Sequence, residues 1–298
     1  MNQKHAYLIM AHNNYDQLGI LIELLDDKRN DIFIHIDKKS TLLQKDRVII
    51  KRYAQHSNVY FIPRFSVNWG AYSLIKAELT LLECATRKNE YCYYHLISGA
   101  DLPLKNQDYI HSFFDANQGK EFINFSDSYY TKKFANRLRY YYFGQEFIKR
   151  SDTKLQTICR YYSRFFILIQ KLFGVNRIKS FNVASGSNWI SITHQFANYL
   201  VCNKKRIEHI FKHTVCGDEE IFQTMIINSK FKKNVYSTKP TMYGNQRLID
   251  WKRGNPYTWR KQDFDELVNS DLLFARKFDI VVDNQIINCI RIAVKCRS

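Results

Sequence analysis

Through the first hundred residues, short apolar runs alternate with longer stretches whose apolar positions recur every three or four residues. Lys4–Met10 (KHAYLIM), Asp31–Asp37 (DIFIHID), Asn58–Ile62 and Tyr91–Ile97 are the short runs, rich in β-branched and aromatic residues, and they predict buried strands. Between them, Tyr15–Leu25 sets Leu18, Leu21, Ile22 and Leu25 on one helical face. Gly70–Arg87 does the same with Leu74, Ala77, Leu81 and Leu82. No glycine follows that second helix, and Asn89 is the expected C-cap. Strand and helix in alternation predict an α/β fold with a mostly parallel sheet, whose ligands bind outside the carboxyl ends of the strands. Three of those ends carry chemistry: His12 and Asn13, Asp37 and Lys38, and Ser98 to Asp101.

Beyond Gly119 the rhythm loosens. Lys120–Phe125 reads as a strand, Thr131–Phe147 is aromatic and basic without a clear period, and Leu155–Phe173 reads as a helix. That helix is apolar around so much of its circumference that packing on the domain is favoured over lying on a membrane. Ser187–Thr193 reads as a short strand, followed by helices to about Lys212. The 4 Pro and 10 Gly are scattered, with no linker and no repeat. The expectation is one domain over 1–298, with a nucleotide-binding half (1–125) and an acceptor and catalytic half (126–298).

Composition narrows the classes. No apolar run approaches the ~18 residues needed to span a bilayer, and mean hydropathy is −0.41. The N-terminus lacks a signal-peptide core and reads as a first strand, so no address for export is expected. Seven cysteines, an odd number without a CxxC pair, argue against a disulfide framework and a zinc site and point to a reducing cytoplasm. A net charge of +17 fits a nucleic acid, an anionic membrane surface or an acidic small-molecule substrate. No RNA-binding signature accompanies the charge. The 20 Tyr and 21 Phe suit carbohydrate recognition as well as an ordinary aromatic core. Neither GxGxxG after the first strand nor GxxxxGK[ST] is present, which argues against a dinucleotide fold and removes the P-loop.

The stretch with the sharpest chemistry is Cys216–Thr224 (CGDEEIFQT). Gly217 and Asp218 read as a helix entry continuing through Ile227, which puts Glu219 and Glu220 in the first turn, where the helix dipole favours ionised carboxylates. Either these acids decorate a helix start, or Glu219 faces a cleft and takes a proton from a sugar hydroxyl. Asp263-Phe264-Asp265 spells the DxD of metal-dependent sugar transferases. Glu266 follows it, however, and Asp263-x-x-Glu266 reads as a capping-box-like helix start.

Eight segments in order resemble the Core-2/I-branching family of β-1,6-N-acetylglucosaminyltransferases and the related protein xylosyltransferases. They are AYLIMAH (6–12), HIDKKS (35–40), WGAYSLIKAEL (69–79), YYHLISGADLPLK (93–105), GSNWISIT (186–193), GDEEIFQT (217–224), IDWKRGNPY (249–257) and LLFARKFD (272–279). The resemblance implies a GT-A-type, Rossmann-like nucleotide-sugar fold and an inverting enzyme that uses a UDP-sugar without a metal or other cofactor. Position by position it places Glu219 on the general base and His12 and Asp37 on residues that hold uridine and ribose. Arg276 and Lys277 fall on the basic pair facing the diphosphate, and Trp69, Asp101, Ser187 and Trp251 in donor-side motifs. Without the resemblance, a satisfied core histidine is the preferred reading of His12, Asp37 reads as a turn-stabilising aspartate, and Arg276 and Lys277 read equally as a solvated strand end. The motif before the base is CGDE here, where animal branching enzymes tend to have SPDE. Acceptor-gripping residues do not align, so the acceptor is left open beyond a saccharide or glycolipid of surface polysaccharide. UDP-GlcNAc is the first expectation for the donor, with UDP-xylose and UDP-glucose behind it. A cytoplasmic protein that docks on the anionic inner face of a membrane is the expected setting. A basic nucleic-acid-binding protein is the alternative from another class.

Overall fold

The computed structural model describes residues 4–147 and 154–296. Its first strand, β1 (His5–Ala11), turns Tyr7, Ile9 and Ala11 to one side and Ala6 and Leu8 to the other, all of them buried. An apolar strand covered on both faces is what a parallel sheet between helical layers requires. After β1 come α1 (Tyr15–Leu25), β2 (Asn30–Ile36), α2 (Gln44–Arg52), β3 (Asn58–Phe61), α3 (Tyr72–Lys88), β4 (Tyr93–Ser98), β5 (Asp101–Pro103) and α4 (Gln107–Ala116). Next are α5 (Ser128–Arg139), α6 (Lys154–Leu172), β6 (Ser191–Thr193), α7 (His194–Cys202), α8 (Lys204–Phe211) and α9 (Ile221–Ile227). The chain ends with β7 (Arg247–Ile249), α10 (Phe264–Val268), β8 (Phe274–Arg276) and α11 (Asn284–Cys296).

The main sheet has the order β3-β2-β1-β4-β6. β1 pairs parallel with β2 and β4, and β2 parallel with β3, whereas β6 runs antiparallel to β4. This is the expected α/β fold with a mostly parallel, Rossmann-like sheet. Strand order reverses between β1 and β4, and at such a switch point the chain leaves a crevice beyond the carboxyl ends of the strands. One side of the sheet packs on α1 and α11 through Leu18, Leu21, Ile22, Leu25, Ile286 and Ile290. The other packs on α3, α7 and α9 through Ile75, Leu79, Leu82, Phe196, Leu200, Phe222 and Ile226. Truncating any of these fully buried leucines to alanine costs about 2–5 kcal/mol.

A smaller sheet, β5-β8-β7, sits over the crevice. Buried Arg247 ties it to the main sheet, donating from Nη2 to the Ile190 carbonyl and to Ser191 Oγ at 2.9 Å each. β6 comes from the second half of the chain and β5 from the first, so the two halves share both sheets.

Several local expectations change. Lys120–Phe125 makes only single bridges, Glu121 to Val235 and Phe122 to Ser191. The buried Glu121 carboxylate instead accepts from Thr193 N and Oγ1 (2.9 and 2.6 Å), at the start of α7. Within the aperiodic 131–147 stretch lies most of α5, which Asp127 starts by accepting from the Tyr130 amide at 2.9 Å. Asn89 does cap α3, but in an extended conformation rather than a left-handed one. Glu219 does not lie in the first turn of a helix: Gly217–Glu219 is a separate 3-10 turn, and Glu220 is the N-cap of α9.

Candidate active site

The crevice begins where β1 and β2 end. The Asp37 amide donates to the Ala11 carbonyl at 3.0 Å, and Ser40 Oγ donates to the His12 carbonyl, so the two strand ends are stitched together. Asp37 then holds its own turn, accepting from Lys39 N at 2.9 Å, with Lys39 Nζ 3.5 Å away. Both the turn-stabilising reading of Asp37 and its place at the crevice therefore hold. His12 is no core histidine, because it stands exposed at the mouth. Partial desolvation lowers its pKa, Asp37 opposes that shift, and Arg276 and Lys39 add to it. The electrostatics thus place His12, Asp37, Lys39 and Arg276 in one neighbourhood.

Arg276 reaches this neighbourhood because β8 pairs antiparallel with β5 in the register Asp101 to Arg276. Its Nη1 donates to Asp101 Oδ1 at 2.7 Å and to Ser98 Oγ. Asp101 is 1 % exposed, and Ser98 N and Oγ also donate to it, at 2.9 Å each. The carboxylate is thus committed to protein partners: Asp101 positions the guanidinium and does not itself face the crevice. The guanidinium is also stacked 4.5 Å from the centre of the Trp189 ring. Lys277 follows on the same strand end, half-buried, and among the described residues its ammonium has no ion-pair partner. Its backbone is gripped by Tyr257 and Trp259 (3.3 and 3.0 Å). Trp251, in the turn that leads into Tyr257, is 59 % exposed.

Glu219 lies at the other end of the loop that carries Trp189. Its carbonyl accepts from Gly186 N at 2.8 Å. A side chain at 186 would put Cβ 2.0 Å from the Asn124 carbonyl oxygen, so only glycine allows this approach. Ser187 sits beside it with its hydroxyl accepting from Trp189 N at 3.3 Å and its carbonyl from Gln223 Nε2 at 2.8 Å, a loop-building role. The Glu219 carboxylate is 43 % exposed and accepts from Arg137 Nη1 of α5 at 2.6 Å. Trp69, 65 % exposed, belongs to the same rim: the next carbonyl, Gly70 O, accepts from Cys216 N at 2.8 Å.

Behind Glu219 lies an acidic cluster shut away from water. Burial pushes Glu220 up to about 9, against the pull of Arg137 and with Glu219 and Asp218 adding to it. Burial also raises Asp218, and raises Glu78 well above the carboxylate range, where Asn188 Nδ2 donates to it at 3.0 Å. Neither oxygen of Glu220 has a hydrogen-bond partner. Of the acids in the 218–220 run, Glu219 is the one that pairs with a cation.

The DxD stretch is built otherwise than a capping box at α10. Asp263 Oδ2 accepts from the Arg260 amide at 2.9 Å, and Asp263 and Glu266 clasp Arg253 at 2.7 and 2.8 Å. The Asp263 and Glu266 carboxylates are thereby occupied by Arg253, while Asp265 stands exposed.

The structure therefore gathers His12, Asp37 and Arg276, with Lys277 next along the chain and Asp101 behind Arg276, and ties Glu219 to the same loop, through Ser187, that beds Arg276. Sequence reading did not single out Arg137, Trp189 and Arg247. Arg137 was legible as part of a basic stretch, and its Phe134 neighbour, stacked at 3.9 Å, has helical i,i+3 spacing. Trp189 stood inside a matched motif, but nothing local marked it as the bed for a distant arginine.

Known proteins resemble this chain across nearly its whole length. It is 24 % identical to xylosyltransferase 2 of Canis lupus familiaris over 95 % of its residues. It is 22 % identical to the xylosyltransferase oxt of Drosophila melanogaster over 91 %. The chain spans about a third of the length of these curated relatives, 32 % and 31 %. Among solved structures, mouse xyloside xylosyltransferase 1 in its apo form aligns with a TM-score of 0.39 at 10 % identity, covering 91 % of this chain and 96 % of that one. Core-mannan synthase A of Aspergillus fumigatus aligns with a TM-score of 0.34 at 13 % identity, covering 74 % and 68 %. The family model of the Core-2/I-branching enzymes matches residues 5–272, which contain Glu219 and the three loaded strand ends. The chain belongs to the Core-2/I-branching enzyme family.

Proposed function

We propose that this chain is an inverting glycosyltransferase that moves a sugar from a UDP-sugar to a hydroxyl of a saccharide acceptor, without a divalent ion. The observation that carries the reading is the single loop 186–189, which holds Glu219 at one end through Gly186 and beds Arg276 at the other on Trp189. A carboxylate and a cation fixed to one rigid element suit a displacement that needs both at once. In that step the acceptor hydroxyl gives its proton to Glu219. Its oxygen bonds to the anomeric carbon on the face opposite the diphosphate, and the bond from that carbon to the diphosphate oxygen breaks. The electron pair leaves with UDP, where Arg276, a planar fork for phosphate oxygens, and Lys277, a point charge, offset the growing negative charge. His12 and Asp37 hold the nucleoside, and Trp69 and Trp251 offer ring faces to the sugar.

UDP-GlcNAc is the first donor to try, from the branching-enzyme family. UDP-xylose is the rival, since the curated relatives are named xylosyltransferases. A thermal-shift panel of UDP-sugars with and without EDTA names the donor and tests the metal question together. Stabilisation by one UDP-sugar that survives EDTA is the expected result. Stabilisation that EDTA abolishes would sink the metal-free reading, and tight salt-sensitive binding of nucleic acid with no response to any UDP-sugar would sink the whole of it.

A further inference from the structure

Over its described side chains from Tyr161 to Leu172, helix α6 packs on the rest of the chain by one face. Gln170 is buried at the centre of that face, with Nε2 donating to the Tyr141 carbonyl at 2.9 Å and Oε1 accepting from the Tyr141 amide at 2.7 Å. Phe166 joins it, edge-on to Phe143 at 5.2 Å. Directly opposite, at i, i+4, i+7 and i+11 spacing, run Tyr161, Phe165, Leu168 and Leu172, which are between 57 % and 84 % exposed. Phe173 continues the stripe past the helix end, and Tyr162 widens it. Arg164 and Lys171 lie exposed along one margin. The favoured sequence reading, a helix simply packed on the domain, therefore describes only half of α6.

We infer that this face of α6 is a docking surface for an anionic lipid bilayer, on which the helix lies flat. An apolar stripe of aromatic and leucine side chains with cations on its margin is the make-up of a helix that sits at the headgroup boundary. α6 does not cross: among the described residues no helix is long and apolar enough to do so. A second copy of this chain is the poorer occupant, because each copy carries a net charge of +17 and the like charges repel. An anionic bilayer turns the same charge into attraction of about 1 kcal/mol per basic residue near the surface. Exposed Lys132 and Lys133 of α5 and Lys179 after α6 add to the attraction. The docking rests on the helix face alone. If the proposed reaction holds, it has a consequence, because the segment gripped by Gln170 follows directly on α5, which carries Arg137 to Glu219. The proposed base is thereby linked, through α5, to the helix that would lie on the membrane.

The test is co-sedimentation of the full chain with phosphatidylcholine vesicles, with and without phosphatidylglycerol, for the wild type and for Phe165→Glu/Leu168→Glu. Leu168→Ser/Leu172→Ser serves as a second variant with no added charge. Wild type should bind the anionic vesicles and not the neutral ones. Both variants should bind at least about tenfold more weakly while keeping the wild-type melting temperature and the wild-type thermal response to UDP. Retained UDP response separates failure of docking from failure of the proposed reaction. Wild type that does not bind, that binds neutral vesicles equally well, or that is matched by both variants overturns the inference. So does a dimer in light scattering that both variants dissolve.

Discussion

Two arginine–carboxylate pairs stand at opposite ends of the 186–189 loop, nearly equal in length and opposite in which partner meets solvent. In Arg276–Asp101, at 2.7 Å, the carboxylate is 1 % exposed and the arginine 20 %. In Arg137–Glu219, at 2.6 Å, the arginine is 21 % exposed and the carboxylate 43 %. In each pair the bracing partner is thus the less exposed of the two, although the two arginines themselves are equally exposed. Under the proposed reaction, that ranking sets a cation at one end of the loop and a proton acceptor at the other. It also predicts that removing a presented group harms turnover, whereas removing a bracing group harms stability or geometry.

The largest effect expected is that of Glu219→Gln, which should lower turnover about a thousandfold or more while leaving the UDP thermal shift intact. Turnover within tenfold of wild type would leave Glu219 a mere helix-start decoration. Asp101→Asn should break the other pattern. It removes the charge that a half-buried arginine faces, and should cost about 3 kcal/mol of stability in a denaturant melt. Arg276→Gln comes next, with turnover down about a hundredfold and only a small change in melting temperature. If Asp101→Asn left stability unchanged and Arg276→Gln destabilised strongly, the roles would have been assigned the wrong way round.

The acidic cluster sharpens the contrast through pH. Glu220 holds its proton in the folded state up to about pH 9, but loses it near the ordinary carboxylate value when the chain unfolds. Folding therefore binds a proton between those values, and stability falls as pH rises through that window. Glu220→Gln, neutral at every pH, should gain on wild type at pH 8 by several kcal/mol at most and not at all near pH 4. The opposite slope belongs to His5 and His95, whose pKa burial lowers well below the ordinary imidazole value. They cost stability as pH falls below the unfolded histidine value, so the optimum lies near neutrality. The smallest effect should come from Arg137→Gln: turnover down about tenfold, donor affinity unchanged, and partial recovery in Arg137→Lys. Donor affinity falling with turnover would show that Arg137 belongs to the donor side instead.

Much of this was written in the chain. The alternation in KHAYLIM and DIFIHID set which residues enter each core layer, and the α1 and α3 stripes set what covers them, because a period of 2 or 3.6 is a local property. Glu219, His12, Asp37 and Arg276 were singled out because the motifs that hold them stand in family order along the chain. The α5 helix was missed: its start signal at Asp127 is a single side chain, and its aromatic and basic residues gave no clear stripe. The strand expected at 120–125 became isolated bridges because its backbone divides between two partners, Glu121 with the 234–236 segment and Phe122 with Ser191, a choice no local pattern marks.

What the sequence alone determined was the order of strands and helices, the chemistry at each strand end and an unusually basic surface. Only the tertiary structure decided which charges meet. Arg276 lies 175 residues from Asp101 and Arg137 lies 82 from Glu219. Neither separation leaves a periodic trace, since pairing across a register or between helix and turn is set by how the layers pack. It was also packing that left one apolar face of α6 exposed among the described residues, because a stripe buried against the domain and a stripe left open are written with the same residues.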